Sequence, residues 1–220
     1  MALDPRRLDA LVQALTEVID APVLCDSATF TLEAWIGVAR SRDSAEPAET
    51  VIAHAALAAL RARREHARVL PYDPALSAQA TERLALARRL RKAVESGGFE
   101  LVNQPIHRLA DGRVVAVEAL IRWPQRDGSV VSPAEFIPLA EESGLIVPIG
   151  AWVLEEAARA WRRLADAGRP DVAVAVNVSA LQFDASITQD AMRALRAAHG
   201  LPRSALHLEL TESVLLRTPE

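Results

Sequence analysis

The stretch Val114-Val115-Ala116-Val117-Glu118-Ala119-Leu120-Ile121-Arg122-Trp123 decides the fold. Strand side chains alternate between faces, so Ala116, Glu118, Leu120 and Arg122 share one face, and Val115, Val117, Ala119 and Ile121 share the other. One face is wholly apolar and suited to packing on helices. The other sets a carboxylate and a guanidinium among smaller groups. Residues 172–178 repeat the pattern, with four valines on one face and Ala173, Ala175 and Asn177 on the other. Residues 205–212 repeat it again, with Leu206, Leu208 and Leu210 opposed to His207, Glu209 and Thr211. Amphipathic helical patterns lie between them, at 149–167 (stopped by Gly168 and Pro170) and at 185–199 (stopped by Gly200). Strands alternating with helices imply parallel strands and an α/β layered or barrel fold.

Working outward, residues 99–106 read as a further strand, joined to 114–123 by the hairpin-turn pair Asp111-Gly112. Ser132 and Glu135, with Pro133 between them, form a capping-box pattern that starts a short helix ending at Gly144. Residues 77–95 form an Ala/Leu/Arg helix ended by Gly97-Gly98. Its Arg83, Arg88, Arg89, Arg91 and Lys92 suit either an anion-binding or signal-transmitting helix, or a solvated connector. Before it come a helical pattern at 5–20, β-rich runs at 23–25 and 29–38, a polar loop at 40–47, a helix at 50–65 and a short strand at 68–72. The expected organisation is a first domain over 1–73, a linker helix over 74–98 and a second domain over 99–220.

Composition bounds the function. The 220 residues are 50% hydrophobic and 25% charged, with a net charge of −4, which excludes wholesale disorder. That charge disfavours an electrostatic binder of nucleic-acid polymers or membrane surfaces. One cysteine, Cys25, excludes an intrachain disulfide framework and a Cys-rich zinc site. No apolar run approaches the roughly 20 residues of a membrane span, and the start lacks a signal-peptide core. A cytoplasmic location is expected, with no membrane contact in this stretch.

The polar faces carry the chemistry. A carboxylate within an apolar strand is costly unless it is paired or holds a cation. Glu118, Asn177 and Glu209 lie in the middle or toward the C-terminal ends of their strands, where parallel barrels place active sites. Two carboxylates and an amide oxygen are hard ligands, suited to Mg²⁺ or Mn²⁺ rather than zinc. Arg122 could pair with Glu118 or clamp a phosphate. Each residue also has a plain reading: an ion pair for Glu118–Arg122, a loop-capping amide for Asn177, an edge-strand charge for Glu209. His107 and His207 read as structural or exposed.

At these same residues the sequence resembles the EAL-domain family of cyclic-di-GMP phosphodiesterases. The matching segments are QPI at 104–106, EALIRW at 118–123, SPAEFIP at 132–138, LIVPIG at 145–150, VNVS at 176–179 and ELTES at 209–213. The resemblance implies a (β/α)₈ TIM-like barrel, incomplete in this chain, that cleaves cyclic-di-GMP to linear pGpG with Mg²⁺ or Mn²⁺. It implies that Glu118, Asn177 and Glu209 are metal ligands, with Glu118 and Glu209 catalytic. Gln104, Leu120 and Arg122 would contact substrate, and the catalytic-site Glu212 would support a neighbouring loop. Residues 1–73 resemble the C-terminal half of a degenerate α/β GGDEF (diguanylate cyclase) domain, through WIGVA at 35–39, HAALAALRA at 54–62 and VLPYD at 69–73. The GGDEF signature itself is absent, so no cyclase activity is expected of this stretch.

The family's Asp-Asp-Phe-Gly segment and active-site lysine are expected downstream of Glu220, and the only lysine, Lys92, lies too early to serve. Asn103 stands where the family commonly has an aromatic residue. The chain is therefore expected to be a fragment, inactive alone, of a parent that is membrane-anchored, if at all, through segments outside it. The ligand is cyclic-di-GMP, and a homodimer of the intact parent is one expected assembly. The alternative is a non-catalytic cyclic-di-GMP receptor or regulatory scaffold.

Overall fold

A computed structural model describes residues 5–25, 28–41, 45–185 and 189–210. The chain divides into two compact units, residues 1–84 and 85–220.

In the first unit, α1 (Pro5–Asp20) precedes a hairpin of β1 (Val23–Cys25) and β2 (Ala28–Phe30). β3 (Ile36–Val38) pairs in parallel with β4 (Val69–Pro71), and α2 (Ala48–Arg64) packs on both. Gly37 makes this packing possible, because a Cβ there would overlap the backbone of Ala55 and Ala59 on α2. Ala58 and Ala62, further along α2, are fully buried. The expected β-rich run at 29–38 is thus two short strands that belong to different sheets.

α3 (Pro74–Ser96) crosses from one unit to the next. It begins three residues before the expected start. Asp73 accepts a hydrogen bond from the Ala75 N–H at 2.9 Å, and Pro74 follows it, which together form a helix start. Gly97, at φ 74°, ends the helix.

The second unit continues with β5 (Glu100–His107), β6 (Val114–Pro124), β7 (Val130–Val131), α4 (Pro133–Glu142), α5 (Ile146–Asp166), β8 (Ala173–Val178), α6 (Ala180–Ala185), α7 (Gln189–His199) and β9 (Leu206–Leu210). The strand order is β5-β6-β8-β9, with β7 against the end of β6. β5 is antiparallel to β6, while β6, β8 and β9 are parallel, so the expected hairpin and α/β crossovers are both present.

Helices cover one face of this sheet. Val117, Ala119 and Trp123 of β6 and Val174, Val176 and Val178 of β8 meet Ile149, Val153, Ala157 and Trp161 of α5 in one core. Phe136, fully buried on α4, stands edge-on to Trp123 at 5.6 Å between ring centroids and 5.9 Å from Phe99. These are the faces that the sequence alternation assigns to the core.

One expected cap and one expected helix are realised differently. Ser132 is the N-cap of α4 with Pro133 next to it, but its hydroxyl makes no capping hydrogen bond. The helix expected at 185–199 is instead α6 and α7, with 186–188 outside the described residues.

Candidate functional site

The uncovered face of the second unit's sheet gathers the predicted site residues. Residues paired across neighbouring strands share a face. Glu118 on β6 is registered with Gln104 on β5 and Ala175 on β8, and Asn177 on β8 is registered with Glu209 on β9. Glu118, Leu120 and Arg122 are half-buried, while Gln104, Asn177 and Glu209 are exposed. The Asn177 Nδ2 donates a hydrogen bond to Glu118 Oε1 at 2.7 Å, which ties two of the three expected ligand positions together across 59 residues of sequence.

Ala116, Ala173 and Ala175 share this face and are buried. His207 lies on it too and is exposed, one register row from Glu209. His107 is instead tied to the hairpin turn, its Nδ1 2.9 Å from the Gly112 carbonyl oxygen.

Arg122 settles one alternative left open by the sequence. Its Nη1 donates to the Ile121 carbonyl at 2.9 Å rather than to Glu118. Glu118 has the amide of Asn177 as its partner instead. Glu212 lies outside the described residues.

The donor set is two carboxylates and one amide, all oxygen ligands of the kind that hard cations take. With Nδ2 engaged by Glu118, Asn177 keeps its Oδ1 for a cation. Among the described residues, no group of three or more His, Cys, Asp and Glu side chains converges to hold a metal. The set there is Glu118, Asn177 and Glu209, which fits part of a divalent-cation site. The first unit carries a separate open cavity of about 600 Å³, lined by Asp9, Gln13, Glu17, Asp20 and Arg68 among others, and none of the predicted site residues line it. Among the described residues, no helix is long and apolar enough to cross a membrane.

Sequence reasoning missed one pair next to the site. Ser179, just after β8, and Gln182 on α6 hold each other: Gln182 Oε1 accepts the Ser179 N–H at 2.9 Å, and Ser179 Oγ accepts the Gln182 N–H at 3.4 Å. Ser-x-x-Gln is a capping-box pattern and was the signal available to find it.

Comparison with known proteins completes the picture. A family profile described as the EAL domain matches residues 87–220, more than half of the chain. The chain belongs to the EAL-domain family.

Within that family, it is 34% identical over 217 residues to the bifunctional diguanylate cyclase/cyclic di-GMP phosphodiesterase MucR of Pseudomonas aeruginosa, covering 98% of this chain and 32% of MucR. It is 35% identical over 210 residues to the cyclic di-GMP phosphodiesterase NbdA of the same organism, covering 94% of this chain and 26% of NbdA. The chain therefore spans a third or less of the length of these curated relatives. Among solved structures, the MucR phosphodiesterase in complex with c-di-GMP matches with a TM-score of 0.57 and 43% identity, over 60% of this chain and 54% of that one.

Proposed function

We propose that this EAL-domain chain carries part of a metal-dependent phosphodiesterase site that hydrolyses cyclic-di-GMP to linear pGpG. The carrying observation is the 2.7 Å contact between Asn177 and Glu118, with Glu209 in register beside Asn177 on the same face. The names of the relatives, cyclic di-GMP phosphodiesterases, support the substrate.

Glu118 and Glu209 supply negative charge and Asn177 a neutral oxygen, so these three would hold Mg²⁺ or Mn²⁺. A cation held there supplies Lewis-acid stabilisation of charge on the phosphate and a more acidic water. Arg122, four residues beyond Glu118 along the same strand face, presents a guanidinium to a phosphate oxygen. Leu120, between them on that face, gives an apolar wall, and Gln104 contributes an amide from the neighbouring strand. Glu212 would support a loop next to the site.

Residues 1–73 are read as the C-terminal half of a degenerate GGDEF domain. The match to a bifunctional cyclase/phosphodiesterase over 98% of the chain supports this, as do the parallel pair β3–β4 and the helix packed on it. The linker would then be residues 74–98, with the EAL part after it.

The test is incubation of the intact parent that carries this stretch with cyclic-di-GMP and Mg²⁺ or Mn²⁺, followed by chromatography. Metal-dependent appearance of the linear dinucleotide is expected. Binding of cyclic-di-GMP by the folded protein with no turnover under either cation would reject the hydrolase and assign a receptor.

A further inference from the structure

Gln182 is the one buried polar residue among those described, only 6% exposed. A buried amide is costly unless hydrogen-bonded, so its position calls for a physical account. Three features of the fold supply one. Its Oε1 accepts the N–H of Ser179, and the Ser179 hydroxyl accepts its N–H in return, so the pair closes the start of α6. Its amide lies against Gly150 of α5, where a Cβ would overlap it, so α5 holds the side chain in place from the other side. And Ser179 is two residues past Asn177, with only Val178, fully buried in the core, between them.

We propose that Gln182 is a positioning residue for Asn177. By fixing the Ser179 backbone against α5, it sets where β8 ends and therefore how the Asn177 amide is aimed at Glu118. The inference rests on the reading of Asn177 as a cation ligand only for its functional consequence; the aim of the side chain is a property of the metal-free protein. Partners that orient ligands in this way influence metal affinity about 10–100-fold.

The experiment has two readouts. In ¹⁵N-labelled protein without added metal, the Asn177 side-chain amide signals are assigned by their loss in Asn177→Ala. Gln182→Met, which keeps bulk but removes the acceptor, is expected to shift those signals. Gln182→Glu, whose carboxylate still accepts the Ser179 N–H, is expected to keep them near their original positions. Calorimetric titration with Mn²⁺ is then expected to show about tenfold weaker binding for Gln182→Met and recovery in Gln182→Glu. If Gln182→Met does not fold, Gly150→Ala takes its place, because the added methyl displaces the same amide from the α5 side and is expected to shift the same signals. Unchanged Asn177 signals in the folded variant overturn the proposal, whatever the titration gives. Shifted signals support it, and if Asn177→Ala then leaves Mn²⁺ affinity unchanged, it is the cation reading that fails and not the positioning.

Discussion

The two faces of the β5-β6-β8-β9 sheet are built from the same strands and do opposite work. The covered face is valine, alanine and aromatic, packed on α4 and α5. The open face sets Glu118, Asn177 and Glu209 on three neighbouring strands, spaced by alanines. Because the strand period is two, every residue that stabilises one face has a neighbour one position away that serves the other. Stability and chemistry are thereby separated by side-chain direction rather than by location in the chain. Four substitutions or conditions test that separation.

The largest effect belongs to the covered face. Phe136→Ala removes a ring that contacts Phe99 and Trp123, and should destabilise the second unit by about 3–5 kcal/mol. Urea unfolding followed by tryptophan fluorescence measures this; a loss below about 1 kcal/mol would place Phe136 outside the working core.

Glu118→Gln comes next and should act on the open face alone. It removes the charge of the proposed cation ligand while keeping an oxygen that can accept the Asn177 amide proton. Cyclic-di-GMP turnover by the intact parent should fall more than about 100-fold, with the urea midpoint shifted by less than about 0.5 kcal/mol equivalent. A variant that loses stability as well as turnover breaks the separation of faces.

Arg89→Ala probes the rim of the covered face. The guanidinium of Arg89 sits over the Trp123 ring at 5.8 Å, and losing it should cost about 0.5–1 kcal/mol with turnover unaltered.

The smallest effect is a pH dependence at the edge of the sheet. Arg169 donates to the Val114 carbonyl at 3.0 Å, holding the start of β6, and also to Asp171. The hydrogen bond from Arg169 lowers the Asp171 carboxyl below the ordinary carboxylate range. A depressed folded pKa means stability that is present above the unfolded value, about 3.9, and lost as pH falls through the lower folded value. Asp171 should therefore titrate below about pH 3.9 by NMR, and Asp171→Asn should flatten that acid limb. An Asp171 that titrates at or above the unfolded value removes this contribution.

Face assignment was legible in the sequence because alternation is a local rule: Val117 and Ala119 inward, Glu118 and Arg122 on the other side, all within one strand. That Glu118, Asn177 and Glu209 stand on the polar faces of their strands was legible from alternation, and the family resemblance named them as ligands; their register was not legible, since pairing between strands 59 residues apart is set by packing that no local pattern encodes. Helix starts were read less well. Asp73-Pro74 is a start signal three residues ahead of the expected Ser77, and Ser179/Gln182 caps a helix of six residues, too short to show a helical period. The Ser132/Glu135 pattern marked the right boundary although its hydroxyl bond is absent, because Pro133 at the first helical position already fixes the backbone there.

The antiparallel course of β5 has a kinetic consequence. The turn between β5 and β6 is short, closed by the Arg108–Arg113 and Gly112–Arg108 backbone bonds, with Gly112 at φ 70°. Such a hairpin zips on a timescale of about 1–10 μs, whereas β8 must wait for two helices to form and dock before it can reach β6. Gln104 and Glu118 are therefore brought side by side early in refolding, Asn177 follows on β8 and Glu209 on β9 comes after it, so the order in which the chain collapses is also the order in which this face acquires its polar groups.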